Sequence, residues 1–196
     1  MTSFAQNSRD KGALNDKPDW GMWLFILLDM TTFGLFFAVF LWEMSNHRDS
    51  FNADAAHLMI PLGLINTLVL LTSSYAVVLA VHAGKARDTG SAARHLRLAL
   101  GAAGLFFTIK MTEYTLEVRG GHTLTSSPFF SFYFILTGIH LLHICIGTIL
   151  LSNWRNDVIR GKKVAERWME SVAAYWHMVD LLWLVIYSLV YIGSNA

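Results

Sequence analysis

One stretch limits the folds open to this chain more than any other. Residues 129–152, FFSFYFILTGIHLLHICIGTILLS, contain no Asp, Glu, Lys or Arg. As a helix, about 24 residues cross the roughly 30 Å hydrocarbon core of a bilayer. Within the stretch, Thr137, His140 and His143 recur at one-turn spacing. Polar groups inside a spanning helix normally face protein or a cavity rather than lipid. The sequence therefore describes an integral membrane protein, and the other apolar stretches read as helices packed around this one.

Composition agrees. Of 196 residues, 54% are apolar, and mean hydropathy is +0.43. Charged residues are 15% of the chain, against about 25% in a soluble domain. The formal net charge of +1 gives no reason to expect a nucleic-acid partner. The single cysteine, Cys145, lies in the central stretch and reads as a small apolar packing residue. Residues 1–19 are polar and lack the short apolar core of a signal peptide, so they read as a cytoplasmic tail.

The fold class expected is all-α, an integral membrane bundle of five transmembrane helices over residues 20–193. The spans fall at about 20–43, 60–82, 93–116, 129–152 and 172–192. The third is the least apolar, with Arg97, Lys110 and Glu113 near its ends. Residues 43–59 read as a polar loop, and residues 153–170 as a turn at Gly161 followed by a short amphipathic piece around Trp168. Lys85, Arg87, Arg94, Arg155, Arg160, Lys162, Lys163 and Arg167 share one side with the basic tail, whereas the other side has Arg48 and Arg119. By the Lys/Arg rule the N-terminus is cytoplasmic and the C-terminus outside.

A helix rises about 1.5 Å per residue, which places Asp29, His143, His177 and Asp180 at roughly 8–15 Å from the inner ends of their spans. They are expected to share one layer in the inner half of the bilayer. Asp29 and Asp180 should there be paired, hydrogen-bonded or protonated. Lys110 and Glu113, three apart, are expected to pair or to snorkel toward the interface. Asn66 offers hydrogen bonds across helices. Gly34, Gly63, Gly101, Gly104, Gly138 and Gly147 suit close helix contact.

Three roles remain open for the intramembrane polar set of Asp29, Asn66, Lys110, Glu113, His140, His143, His177 and Asp180: a network that fixes helix docking, a proton route, or a metal site. The two histidines His140 and His143 lack the Glu-x-x-His companions of a di-metal bundle. No phosphate-binding loop, dinucleotide fingerprint or zinc-protease motif is present. No catalytic, metal or cofactor-binding residue is therefore assigned.

These polar residues also lie in recognisable strings. Residues 137–147, TGIHLLHICIG, resemble the TGxHxxHVxxG segment of cytochrome c oxidase subunit III. Residues 175–183, YWHMVDLLW, resemble that family's YWHFVDxxW. Asn66-Thr67 with Ser73-Ser74 resembles its NTxxLxxSS, and Glu113-Tyr114 after Phe106 and Lys110 resembles its F…(Q/K)xxEY. Four motifs stand in the right order in four separate spans, over residues 20–193.

The resemblance implies a non-catalytic accessory subunit of a bacterial haem-copper complex in the inner membrane. Its partner would be a subunit I-like membrane protein that carries the haem, with copper or non-haem iron. This chain would bind none of these cofactors. It would stabilise the catalytic subunit, support proton uptake and hold phospholipid. Larger members have seven spans, of which this chain matches the last five. They carry Glu where this chain has Asp29. The short form and the first span also resemble the subunit III-like protein associated with nitric oxide reductase, and that association is the expected one. The alternative is a subunit III of an aerobic cytochrome c or quinol oxidase; a small transporter or an independent metal enzyme are the other classes weighed.

Overall fold

A computed structural model describes residues 20–195. The expected N-terminal tail, residues 1–19, lies outside them. Six α-helices follow in chain order: α1 Trp20–Asn46, α2 Arg48–Ala55, α3 Ile60–Lys85, α4 Thr89–Arg119, α5 Pro128–Ile159 and α6 Glu166–Ile186. The chain continues from α6 through a π-helical stretch, Tyr187–Ile192, into a last 3₁₀ turn at Gly193–Asn195.

An all-α membrane bundle is what the sequence led us to expect, but not its count of five spans. Four helices among the described residues are long and apolar enough to cross a membrane: Gly21–Asn46, Ile60–Lys85, Pro128–Ile159 and Glu166–Ile192. The expected span at 93–116 is not one of them. Its helix, α4, is 31 residues long, but Arg94, Arg97, Lys110, Glu113 and Glu117 interrupt its apolar run. α4 packs along α3 and α5 and turns part of that charge inward, burying Lys110, Glu113 and Glu117.

Two connectors also differ from expectation. Residues 48–55 form α2 rather than open loop, because Phe51 and Ala55, one turn apart, give it a buried face. Phe51 meets Phe40 of α1 and Phe129 of α5 edge-on at 5.7 Å. The amphipathic piece around Trp168 is the first part of α6 and continuous with the last span.

Helix starts and close contacts follow local chemistry. Ser127 caps α5 by accepting the Phe130 N–H at 3.3 Å, and Pro128 occupies the first turn, where no N–H is needed. A Cβ on Gly63 would lie 2.7 Å from the Tyr187 ring, and one on Gly147 would lie 2.7 Å from Trp176. These two glycines let helices touch. Gly34, Gly101, Gly104 and Gly138 have open space around the same position, so the close-contact expectation fails for them. Cys145 is exposed on the apolar outer face rather than packed.

α1 is the outlying helix. Only 11% of its apolar window is buried, against 61% for α6. Phe33 and Phe40 are its buried anchors. The ends of α3 and α5 and the starts of α4 and α6 gather Lys85, Arg87, Lys162 and Lys163 at one end of the bundle. α2 and the last turn lie together at the other.

Candidate functional site: three buried polar clusters

The polar residues expected to form one layer divide into separate groups. In the first, Asp29 of α1 reaches His143 of α5, with Oδ1 3.0 Å from Nε2. The other ring nitrogen, Nδ1, lies 2.8 Å from the Ile139 carbonyl. The carbonyl requires a proton on Nδ1, so the Nε2–Oδ1 contact needs one further proton, held by the imidazole or by the carboxyl. Phe33 packs edge-on against the ring at 5.6 Å, and the Tyr175 hydroxyl donates to the His143 carbonyl. The pair is a polar link between α1 and the bundle. Beside it, Gly21, Met22, Phe25, Ile146, Leu150 and Tyr175 line an apolar cavity of about 470 Å³ between α1, α5 and α6.

The second group joins α3 to α6. Ser74 Oγ lies 2.6 Å from His177 Nδ1. Asp180, one turn beyond His177, stands next to Ser74, but neither carboxyl oxygen makes a well-formed hydrogen bond. Further along, the Trp183 indole donates to Thr67 Oγ1 at 3.0 Å, and Thr67 donates to Gly63 O.

Two buried polar side chains stand outside these groups. His140 is fully buried between Phe106 and Trp183, with ring centroids 5.7 and 5.3 Å away. Neither of its nitrogens has a hydrogen-bond partner among the described residues, and the same holds for both amide atoms of Asn66. One-turn spacing on α5 therefore did not make His140 and His143 a pair. His143 meets Asp29 from α1, whereas His140 turns into aromatic packing.

The third cluster is the most closed. Lys110 and Glu113 are both 0% exposed. The ammonium donates to Glu113 Oε2 at 3.1 Å, to the Tyr133 hydroxyl at 3.1 Å and to the Tyr191 hydroxyl at 2.6 Å. The Tyr191 hydroxyl in turn donates to Glu113 Oε1. Tyr133, Tyr114, Trp183 and Tyr191 surround the ammonium, the nearest ring centroid 4.5 Å away. Lys110 thus pairs and does not snorkel. Tyr133 and Tyr191 are hydrogen-bonded members of this cluster that the sequence did not single out as polar partners. Next to them, the Tyr114 hydroxyl lies 2.6 Å from Thr137 Oγ1.

Among the described residues, no group of three or more His, Cys, Asp or Glu side chains is arranged to hold a metal ion. The geometry joins helices through polar contacts at two depths: Asp29–His143 fixes α1 to α5, and Lys110–Glu113–Tyr133–Tyr191 fixes α4 to α5 and to the π-helical stretch after α6.

The sequence model of cytochrome c oxidase subunit III matches residues 7–195. Cytochrome c oxidase subunit 3 of Allomyces macrogynus is 30% identical over 189 residues, covering 90% of this chain and 66% of that protein. The heme-copper oxidase subunit I+III of Aeropyrum pernix is 28% identical over 186 residues, 90% of this chain and 23% of that one. The subunit 3 of Corynebacterium diphtheriae is 27% identical over 178 residues, 87% of this chain and 85% of its own length. The chain thus spans just under two thirds of the fungal relative and less than a quarter of the archaeal one. These relatives are oxidase subunits by name. They give no support to the association with nitric oxide reductase expected from the short form. With the family model covering nearly the whole sequence, this chain belongs to the cytochrome c oxidase subunit III family.

Proposed function

We propose that this chain is the accessory subunit III of an aerobic haem-copper oxidase, docked on a subunit I-like membrane protein that carries the haem and copper. The family match over residues 7–195 carries this reading. The archaeal relative, named as subunit I and III in one chain, supports the choice of partner. The chain itself supplies no redox group and performs no step of oxygen reduction. Its contribution is to hold the catalytic subunit in its working form in the membrane.

The polar clusters fit that role as internal braces. A buried ion pair between helices restricts how they dock, at some cost in stability compared with apolar packing. Asp29 with His143 also places a titratable pair in the membrane interior, where it can support proton uptake by the partner. The apolar cavity beside it suits a phospholipid chain at the subunit contact. We place the protein in a bacterial inner membrane, with the Lys85, Arg87, Lys162 and Lys163 end in the cytoplasm. The α2 end, where the last turn also packs, then faces outward.

The test is affinity purification of the tagged full chain in mild detergent, with an optical spectrum and identification of whatever co-purifies. A haem-containing subunit I-like protein with oxygen-reductase activity supports the reading. Purification of this chain alone with stoichiometric haem or metal would overturn it, as would a partner complex without oxygen-reductase activity. Asp29→Leu and Asp180→Leu are expected to reduce co-purification while leaving the haem spectrum of the retained complex unchanged. Full co-purification of both variants would remove these residues from the docking argument.

A further inference from the structure

Two histidines meet at the α2 end of the bundle, away from the Lys85 and Arg87 rim. His57 stands in the turn between α2 and α3, and His122 in the turn after α4. Their ring centroids are 4.7 Å apart, with the planes 38° from parallel. His122 also lies flat on Phe130 of α5, at 4.4 Å and 14°. The three rings thus form one stack contributed by three segments of the chain. His57 is exposed, His122 is half-buried and Phe130 is buried, so water reaches one end of the stack. Backbone bonds hold each histidine within its own turn: His57 N–H to Asp54 O at 3.1 Å, and His122 N–H to Glu117 O at 2.9 Å. The ring contact bridges the two turns.

The charges around this stack come from several elements. Glu117 of α4 is only 5% exposed, and its carboxyl feels Glu113, His57 and Lys110. Asp54 of α2 precedes His57 by three residues, and Arg119 of α4 precedes His122 by three. At the end of α1, His47 and Glu43 face each other at 3.3 Å. α3 opens with the uncharged Ile60-Pro61, α5 offers Phe129 and Phe130, and the last turn, Gly193–Asn195, carries no charged side chain. Imidazole is the side chain whose charge ordinarily changes between about pH 5 and pH 8. Two of them in ring contact at a junction between connectors make that junction sensitive to acid.

We propose that His57 and His122 are an acid-released latch that holds the two turns together over Glu117. With one ring protonated the stack persists, because the imidazolium has a neutral ring and Glu117 as neighbours. A second proton sets like charges at stacking distance. Separated rings take up that proton more readily than stacked ones, so acid favours the open form and the closed one weakens as pH falls. Opening brings water to Glu117, which lies one helical turn from Glu113 of the sealed Lys110 cluster. The latch responds to the pH of whichever compartment this end faces. It depends neither on the partner nor on the orientation proposed above.

The full chain in detergent is followed by hydrogen exchange and mass spectrometry between about pH 8 and pH 5. Rates for the peptide around residues 117–124 are divided by the intrinsic rate at each pH, which leaves protection alone. In wild type, protection is expected to fall about tenfold toward the acid end, as for two sites coupled by about one pK unit. His122→Phe keeps a ring on Phe130 and removes one charge, so the fall should disappear while the melting temperature at neutral pH holds. His57→Phe should do the same from the other turn, and covers the case in which the first variant does not fold. Glu117→Gln and His47→Gln should both keep the fall. Even protection across the range in wild type would overturn the latch, as would a full fall in the folded Phe variants. Loss of the fall in Glu117→Gln would assign the sensing to the carboxyl, and loss in His47→Gln to the α1 end; either result also overturns it.

Discussion

At one level of the bundle, Lys110 is enclosed by three oxygens and four aromatic rings, and Glu113 accepts from two donors. At another, Asp29 meets His143 through one oxygen, and among the described residues its second oxygen and polar atoms of Asn66, His140 and Asp180 have no well-formed hydrogen bond. Both regions bury charge in a setting where charge is costly. The first is saturated and behaves as a permanent brace. The second is unsaturated, and it joins the outlying helix α1 to the rest. A closed network rigidifies, whereas an open one leaves room for a proton, a water or a partner group.

The sharpest break in this contrast should come from the saturated cluster. Lys110→Leu leaves Glu113 without its cation in a sealed site, and a loss of about 3–5 kcal/mol is expected in denaturation of the purified protein. Lys110→Leu with Glu113→Leu should recover most of that loss, since the uncompensated charge is gone. A double variant as unstable as the single would show that the cluster is not an ion-pair brace.

Asp29→Leu should cost less, about 1–3 kcal/mol, and the damage should be local to α1. Cysteine cross-linking between α1 and α6 would report it as lost proximity without global unfolding. A double-mutant cycle with His143→Leu should give a coupling of about 1 kcal/mol. Additive losses would mean that the pair does not tie α1 to the bundle.

Smaller still is the effect expected at the solitary polar side chains. Asn66→Leu and His140→Leu remove groups with no hydrogen bond to lose, so stability should change by less than about 1 kcal/mol. A larger loss would reveal ordered water bonded to them, and the second region would then be as saturated as the first.

Outside both clusters, Asp88 caps α4 by accepting the Ser91 N–H at 3.0 Å, and that hydrogen bond holds its carboxyl below the ordinary range. A lowered folded pKa adds stability above the unfolded pKa that is lost as pH falls through the folded value. Asp88→Ala should therefore lower the melting temperature slightly at neutral pH, with the difference from wild type vanishing in acid. A difference that persists in acid would show that the cap acts through something other than its charge.

Much of this contrast could be read from spacing alone. Lys110 and Glu113 are three apart on a helix, and their pairing followed. The four motifs fell in four separate helices in the expected order. What could not be read was which distant side chain closes each cluster. Tyr191 lies near the end of the last span, where a tyrosine ordinarily marks the interface, yet its hydroxyl sits between Lys110 and Glu113. Nothing local to residue 191 signals that contact. His140 and His143 looked like one pair because spacing places both on neighbouring faces of α5. Their partners, Trp183 and Asp29, come from different helices and separate them. The count of spans failed because charge on α4 was read as lying at its ends, whereas Lys110 and Glu113 sit well inside a 31-residue helix.

α1 is the first of these helices to leave the ribosome, and His143 is made long after it. Asp29 therefore enters the insertion machinery with no histidine in existence to receive it. Its helix presents mostly apolar side chains to the outside and gains little by binding the chain made next. The segment made first thus gains its polar partner only once α5 has been threaded. Any quality-control step that recognises an unsheltered carboxylate in the bilayer would read Asp29 as the mark of an unfinished chain, and the arrival of His143 would erase it.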